Sequence, residues 1–355
     1  MASDRPIFVV GCPRSGTTML QLMLHAHPRI ALPPESRFVL AAYNRRHRFG
    51  DLRDPANRRA LARWIVTTDQ FDDLGLDRER VIEQIVAAPP TLGSALGTVF
   101  RAYAARFDKP RWGDKRPAYL RHLPQLLRLF PDAQIVNIVR DGRDCVASLK
   151  ETPWSTKELG ELIDYWARSA DAATRAARRY GPGVFHQIRY EDLVADPEPH
   201  LRELCRFLDE EYDEAMARPS DVASVAVPQY KTWHERTHGE VTTERVRSWQ
   251  RRLTPEEVAR CEAVFGRRLE RYGYERSTQV RRGLGGLRTQ AWLTARHRLG
   301  PARLLADDVR GWLRHGGRGA VLPAQLTSRQ VSERERRLPD ETSTAQAGQS
   351  GDRAR

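Results

Sequence analysis

The chain has 355 residues, 40% of them hydrophobic and 30% charged, with a formal net charge of +13 at pH 7. This is enough apolar content for a globular core, and no apolar run approaches the roughly 20 residues of a membrane-spanning helix. The composition excludes a collagen-like or wholly disordered chain and argues against an integral membrane protein. Met1–Pro6 lacks the charged-then-apolar pattern of a secretory signal. Cys12, Cys145, Cys205 and Cys261 form no CxxC pair and no metal-ligand spacing with His. They read as reduced thiols, and the expected compartment is the cytoplasm. No metal is expected.

The charge is unevenly placed. Residues 276–355 hold 16 Arg against 7 Asp and Glu, so the first 275 residues are close to neutral. A basic tail of this kind can meet an anionic membrane or another partner. Its position argues against nucleic-acid binding by the body.

Taken in order, Ile7–Gly11 reads as a strand and Thr17–Ala26 as the helix that follows it. Helical patterns recur at Arg37–Arg48, Ala56–Thr67, Arg78–Ala87, Leu92–Phe107 and Arg116–Phe130. Gln134–Val139 is a second strand, followed by a helix from Arg143 to Lys150. Glu158–Tyr180 is a long amphipathic helix stopped by Gly181-Pro182-Gly183. Val184–Arg189 is a third strand, with helices at His200–Leu208 and Pro255–Tyr272. Short apolar strands alternating with helices predict an α/β fold, a mainly parallel sheet flanked by helices. Three regions are expected: a domain over 1–275, a basic amphipathic helical extension over 276–326, and a disordered tail over 327–355.

Two motifs carry chemistry. Gly11-Cys12-Pro13-Arg14-Ser15-Gly16-Thr17-Thr18 leaves a strand and opens a helix. Unpaired N–H groups at a helix start favour an anion there, and two hydroxyls add donors. A phosphate loop of the GxxxxGK[ST] type would place Lys where Thr17 stands, which argues against ATP or GTP hydrolysis. A plain strand–turn–helix corner is the competing reading. The second motif, Ile135 to Ser148, has the same grammar. A strand ends at Arg140, where ligands of open α/β sheets bind, and a helix carries Ser148. An Arg–Asp salt bridge capping that helix is the plainer alternative.

Together the two motifs resemble the sulfotransferases that use 3′-phosphoadenosine 5′-phosphosulfate (PAPS). The loop through Thr18 is similar to their 5′-phosphosulfate loop, and Ile138–Ser148 to their 3′-phosphate site. Arg189-Tyr190-Glu191-Asp192-Leu193 is similar to a third recurring block. The spacing Arg14…His27-Pro28…Glu35-Ser36-Arg37 resembles the tyrosylprotein sulfotransferase branch and its bacterial relatives. The resemblance covers roughly Arg5 to Glu275.

The resemblance implies a P-loop-like sulfotransferase fold and metal-independent, in-line sulfuryl transfer from PAPS, releasing 3′,5′-ADP. Arg14 would contact the phosphosulfate. Ser15, Gly16, Thr17 and Thr18 would hold the 5′-phosphate, and Arg140 and Ser148 the 3′-phosphate. Tyr190 would line the nucleotide site and Lys115 would face the sulfuryl group. Glu35, returned toward the cradle by Pro33-Pro34, is the candidate general base; His25 and His27 are rivals, and Arg37 is a candidate for placing the acceptor. A basic lid is expected from Lys231, Arg236, Thr237 or Arg247, although Ser248 stands where the tyrosylprotein branch has a basic residue. The acceptor is left open among a small molecule, glycan, lipid or peptide. The competing functions are a P-loop kinase or nucleotidase and a basic binding protein acting through its tail.

Overall fold

The computed structural model describes residues 3–152, 155–222, 242–277 and 324–335. Five strands form one sheet in the order β2-β3-β1-β4-β5. They are β1 (Ile7–Gly11), β2 (Ile30–Ala31), β3 (Arg111–Lys115), β4 (Gln134–Val139) and β5 (Phe185–Arg189). Every pairing is parallel. A parallel sheet must be covered on both faces, and the alternation in β1 shows how. Phe8 and Val10 pack into one apolar cluster, Ile7 and Val9 into another on the opposite face.

Helices α1 (Thr17–Ala26), α2 (Phe38–Arg45), α3 (Pro55–Val66), α4 (Arg78–Ala87), α5 (Leu92–Ala105) and α6 (Leu123–Leu129) precede β4. The Phe8 side is covered by α2 to α6; the Ile7 side is covered by α1 and, later, α10 (Pro197–Leu208). Side-chain oxygens of Asp54, Asp77 and Thr91 cap α3, α4 and α5, the usual way of satisfying free N–H groups at a helix start. After β4 come α7 (Gly142–Lys150), α8 (Leu159–Tyr180) and α9 (Tyr190–Ala195). A third cluster joins α7 and α8 to the helix Pro255–Phe265, with Trp166 and Phe265 at a ring-centroid distance of 4.3 Å. Gly142 leaves room for this contact, because a Cβ there would lie 2.5 Å from the Trp166 ring.

The predicted strands and most helices are present. β2 and β3 are not among the expected strands, and two expected helices are interrupted. β3 has a single apolar side chain, Trp112, and its charged residues are buried by pairing: Arg111 bonds Glu210 at 3.1 Å, Gln134 and the Leu208 carbonyl. The helix expected at Arg116–Phe130 splits at His122 into a 3-10 turn and α6. The helix expected at Pro255–Tyr272 breaks at Gly266, whose φ is +51°.

Of the expected extension, residues 278–323 lie outside the described residues. Within the stretch expected to be disordered, Ser328–Glu335 is instead helical. It is docked rather than free: Val331 is buried, the Ser328 amide donates to Asp132 at 2.8 Å, and Gln325 accepts from the Gly93 amide at 2.7 Å. Tertiary contact supplies the stability that its polar sequence lacks. No helix among the described residues is long and apolar enough to cross a membrane. All four cysteines are buried free thiols.

Candidate functional site

The C-terminal ends of β1, β3 and β4 bring the predicted residues to one edge of the sheet. In the β1–α1 loop the Ser15 amide donates to the Cys12 carbonyl at 3.1 Å, closing a tight turn. Arg14 has a left-handed backbone, φ 68°, and Gly16 has φ 99°. A Cβ on Gly16 would lie 2.6 Å from the Tyr190 ring. Glycine is thus required twice over, by conformation and by close approach. Thr17 opens α1 with no side-chain cap on its free N–H groups.

This loop and the β4–α7 corner are cross-linked. Arg14 Nε donates to Ser148 Oγ at 2.9 Å, and an Arg140 terminal nitrogen donates to the Arg14 carbonyl at 3.1 Å. The Arg140 guanidinium lies over the Tyr190 ring at 4.4 Å. Burial, and then the nearby charge of Arg140, push the Arg14 pKa below the ordinary arginine value. A buried and a half-buried guanidinium brought together in this way favour an anion between them.

Two polar atoms here have no partner. Ser15 Oγ and Arg140 Nε are buried and unbonded, one in each of the two cradles. Buried donors are almost always satisfied, so a ligand that accepts hydrogen bonds at both places fits the loop and the corner together. An Arg–Asp ion pair does cap this helix, but through Arg143 and not Arg140. Asp141 caps α7 through the Arg143 amide at 2.9 Å and pairs with the Arg143 guanidinium at 2.7 Å, while the carboxylate beside Arg140 is Asp144, at 3.8 Å.

Glu35 and Lys115 meet at the mouth of the site, with Lys115 Nζ 3.0 Å from Glu35 Oε2. The Glu35 side chain keeps 28% of its exposure and Lys115 only 4%. Burial pushes the Glu35 carboxyl upward, but the charge and hydrogen bond of Lys115, with Arg116 and Arg37, outweigh it and hold the group below the usual carboxylate range. Glu35 is therefore ionised near neutral pH. Its loop is pinned on both sides. Gln21 of α1 donates to the Pro33 carbonyl at 2.6 Å, and His25 accepts from the Leu32 amide at 3.2 Å. On β3, Asp114 accepts from Ser36 Oγ at 2.7 Å, from Tyr119 at 2.6 Å and from the Lys115 amide at 2.9 Å.

The two histidines are structural. His25 is buried, and desolvation with the charge of Lys109 lowers its pKa to about 3. His27 is buried and bridges Glu211 and the Arg29 amide. Arg37 is exposed at the start of α2. Of the lid candidates, Lys231, Arg236 and Thr237 lie outside the described residues. Arg247 lies within them, with its amide bonded to Asp144 at 3.0 Å. Sequence reasoning passed over Asp114, Ser36, Gln21 and Asp144. Only Asp144 left a signal, as the acid four residues after Arg140 on the same corner.

Comparison with known proteins agrees with this geometry. The model of the sulfotransferase family matches residues 6–214. Protein-tyrosine sulfotransferase 1 of Danio rerio is 25% identical over 288 residues, covering 77% of this chain and 73% of that protein. Nodulation protein NoeE of Sinorhizobium fredii is 28% identical over 323 residues, covering 82% and 71%. The protein-tyrosine sulfotransferase of Drosophila melanogaster is 25% identical, but this chain spans only 39% of its length. Among solved structures, the sulfotransferase domain from the curacin biosynthetic pathway aligns with a TM-score of 0.53 at 19% identity, over 78% of this chain and 99% of that one. That likeness is one of fold. The family match spans more than half of the chain and includes the loop, the corner and the Glu35–Lys115 pair, and on that ground the chain belongs to the sulfotransferase family.

Proposed function

We propose that this protein is a PAPS-dependent sulfotransferase acting on a hydroxyl or amine acceptor. The observation that carries the reading is the pair of unpartnered buried donors, Ser15 Oγ and Arg140 Nε, in two cradles tied together by the Arg14–Ser148 bond. A nucleotide with phosphates at both its 5′ and 3′ positions would satisfy both. Ser15, Gly16, Thr17 and Thr18 would hold the 5′ side. Arg140 and Ser148 would hold the 3′-phosphate, and Tyr190, against Gly16 and Arg140, would wall the nucleoside.

PAPS would supply a sulfuryl group whose bond to the 5′-phosphate oxygen breaks as the bond to the acceptor forms, leaving 3′,5′-ADP. Arg14 offsets the charge that grows on the leaving oxygen. Glu35 takes the acceptor proton. Lys115 serves both ends: while it pairs with Glu35 the carboxylate stays ionised, and when its ammonium turns to a sulfuryl oxygen its hold on Glu35 weakens and the base strengthens. The relatives that carry sulfotransferase names support the reaction class. The acceptor is a small molecule, glycan, lipid or peptide, and a small molecule or glycan is preferred on the expected cytoplasmic setting.

Incubation with sulfur-labelled PAPS and a panel of phenols, alcohols and amino sugars tests this reading. Label should pass to one acceptor class with wild-type protein and not with Glu35→Gln. Label transfer that survives Glu35→Gln would remove the base assignment, and phosphoryl transfer from Mg-ATP would favour the kinase reading.

A further inference from the structure

Among the described residues, four that are not glycine have a left-handed backbone, and two of them are Arg14 (φ 68°) and Arg247 (φ 56°). An arginine there costs about 1–2 kcal/mol, and such strain persists only where the surroundings impose it. Both are held by the same corner. Arg140 holds the carbonyl of Arg14 at 3.1 Å, and Asp144, one helical turn further on, holds the amide of Arg247 at 3.0 Å.

Asp144 does more than this. Its other oxygen accepts from Ser248 Oγ and from the Trp249 amide, both at 2.8 Å. The oxygen on Arg247 also lies 3.8 Å from an Arg140 terminal nitrogen, which in turn donates to the Arg245 carbonyl at 2.5 Å. Asp144 has no exposure at all. A carboxylate so placed is costly to bury unless its lone pairs and charge are answered. Here they are answered by segment 245–249 on one side and by Arg140 on the other. One carboxylate therefore fixes two things: the direction of the guanidinium and the seat of the segment beside it.

We infer that Asp144 is a positioning residue of the donor site, joining Arg140 to segment 245–249 so that preference for a nucleotide bearing a 3′-phosphate depends on it. The inference rests on the donor reading above. Asp144 touches no part of the nucleotide in this account; it acts through Arg140. Without its charge, the buried Arg140 loses its only carboxylate within 4.0 Å among the described residues, and the donors of segment 247–249 lose a charged acceptor. A ligand gripped by the β1–α1 loop alone would not register the loss.

Calorimetric titration of the full chain with 3′,5′-ADP and with 5′-AMP tests this, on wild type, Asp144→Asn and Ser248→Ala. Asp144→Asn keeps the shape but removes the charge and turns an NH2 group toward one set of donors. It should weaken 3′,5′-ADP by about tenfold or more while 5′-AMP changes by less than about threefold. Ser248→Ala removes one of the three bonds from the segment and should lower the same ratio several-fold. It decides the matter alone if Asp144→Asn does not fold. An equal loss for both nucleotides marks a carboxylate needed only for folding and overturns the inference, as does an unchanged ratio. Wild-type protein without preference for 3′,5′-ADP overturns the donor reading first and this inference with it.

Discussion

Ser36 and Asp114 are joined by a hydrogen bond of 2.7 Å, and both side chains are fully buried. The neighbouring residues, Glu35 and Lys115, form their own contact at 3.0 Å. Two adjacent residues of a loop are thus fastened to two adjacent residues of β3. The inner fastening is a buried network, which fixes geometry well when every member is satisfied. The outer one is partly open to solvent on the Glu35 side.

Burial raises the Asp114 carboxyl to about 6. In an unfolded chain it would titrate near the ordinary value of about 3.9. The folded protein therefore holds this proton more tightly than the unfolded chain does. The stability gained is fully present below about pH 4, declines as pH rises to about 6, and is absent above that, a span worth about 3 kcal/mol. Asp114→Asn cannot titrate. Its stability relative to wild type should improve from pH 4 to pH 7 by an amount of that order, read by urea unfolding. A difference independent of pH would contradict the assignment.

Lys115→Met removes the largest influence holding Glu35 below its usual range and leaves burial to push it upward. The acid limb of the turnover profile should move to higher pH, with a large fall in kcat and little change in binding of 3′,5′-ADP. An unmoved acid limb would show that Glu35 is not the titrating base.

Gly16→Ala meets two obstacles: a left-handed backbone and the Tyr190 ring at 2.6 Å. The backbone alone costs about 1–2 kcal/mol. The variant should unfold at lower temperature and lose binding of both 5′-AMP and 3′,5′-ADP, since the loop itself is displaced. Normal 5′-AMP binding would place the nucleotide elsewhere.

Ser148→Ala deletes the partner of Arg14 Nε and a proposed ligand of the 3′-phosphate. A lost hydrogen bond of this kind is worth about 0.5–1.5 kcal/mol. Affinity for 3′,5′-ADP should fall several-fold, and affinity for 5′-AMP should fall less. Equal losses would place Ser148 outside the 3′-phosphate site.

Removing residues 324–355 leaves Asp132 and the Gly93 amide without the partners that helix Ser328–Glu335 and Gln325 supply. Asp132 precedes β4, so these contacts lie at the end of the strand opposite Arg140. Stability should drop by about 1–2 kcal/mol while binding of 3′,5′-ADP stays the same. A large loss of binding would tie the tail to the site.

The strands β1, β4 and β5 were legible because they are apolar runs bounded by turn chemistry. The loop after β1 and the corner after β4 were legible because each joins a strand to a helix through a contiguous run of Gly, Arg and hydroxyl residues. β3 was not, since Arg111, Asp114 and Lys115 are buried by partners up to 106 residues away in sequence, and periodicity does not record such pairing. Asp114 and Asp144 were missed for the same reason. Each looks like a surface acid, and its role exists only once Ser36 or segment 247–249 is folded against it. The docked helix at Ser328–Glu335 was hidden by its polarity, as Val331 is the one buried side chain among those described there.

Two cradles, one at the end of β1 and one at the end of β4, are proposed to hold a single nucleotide phosphorylated at both 5′ and 3′ positions. Calorimetric titration of the wild-type protein with 3′,5′-ADP, against 5′-AMP and Mg-ATP, measures this directly. One site per chain is expected, with 3′,5′-ADP bound at least tenfold more tightly than either control, about 1.4 kcal/mol. Equal binding of 5′-AMP and 3′,5′-ADP, or a preference for Mg-ATP, would contradict it.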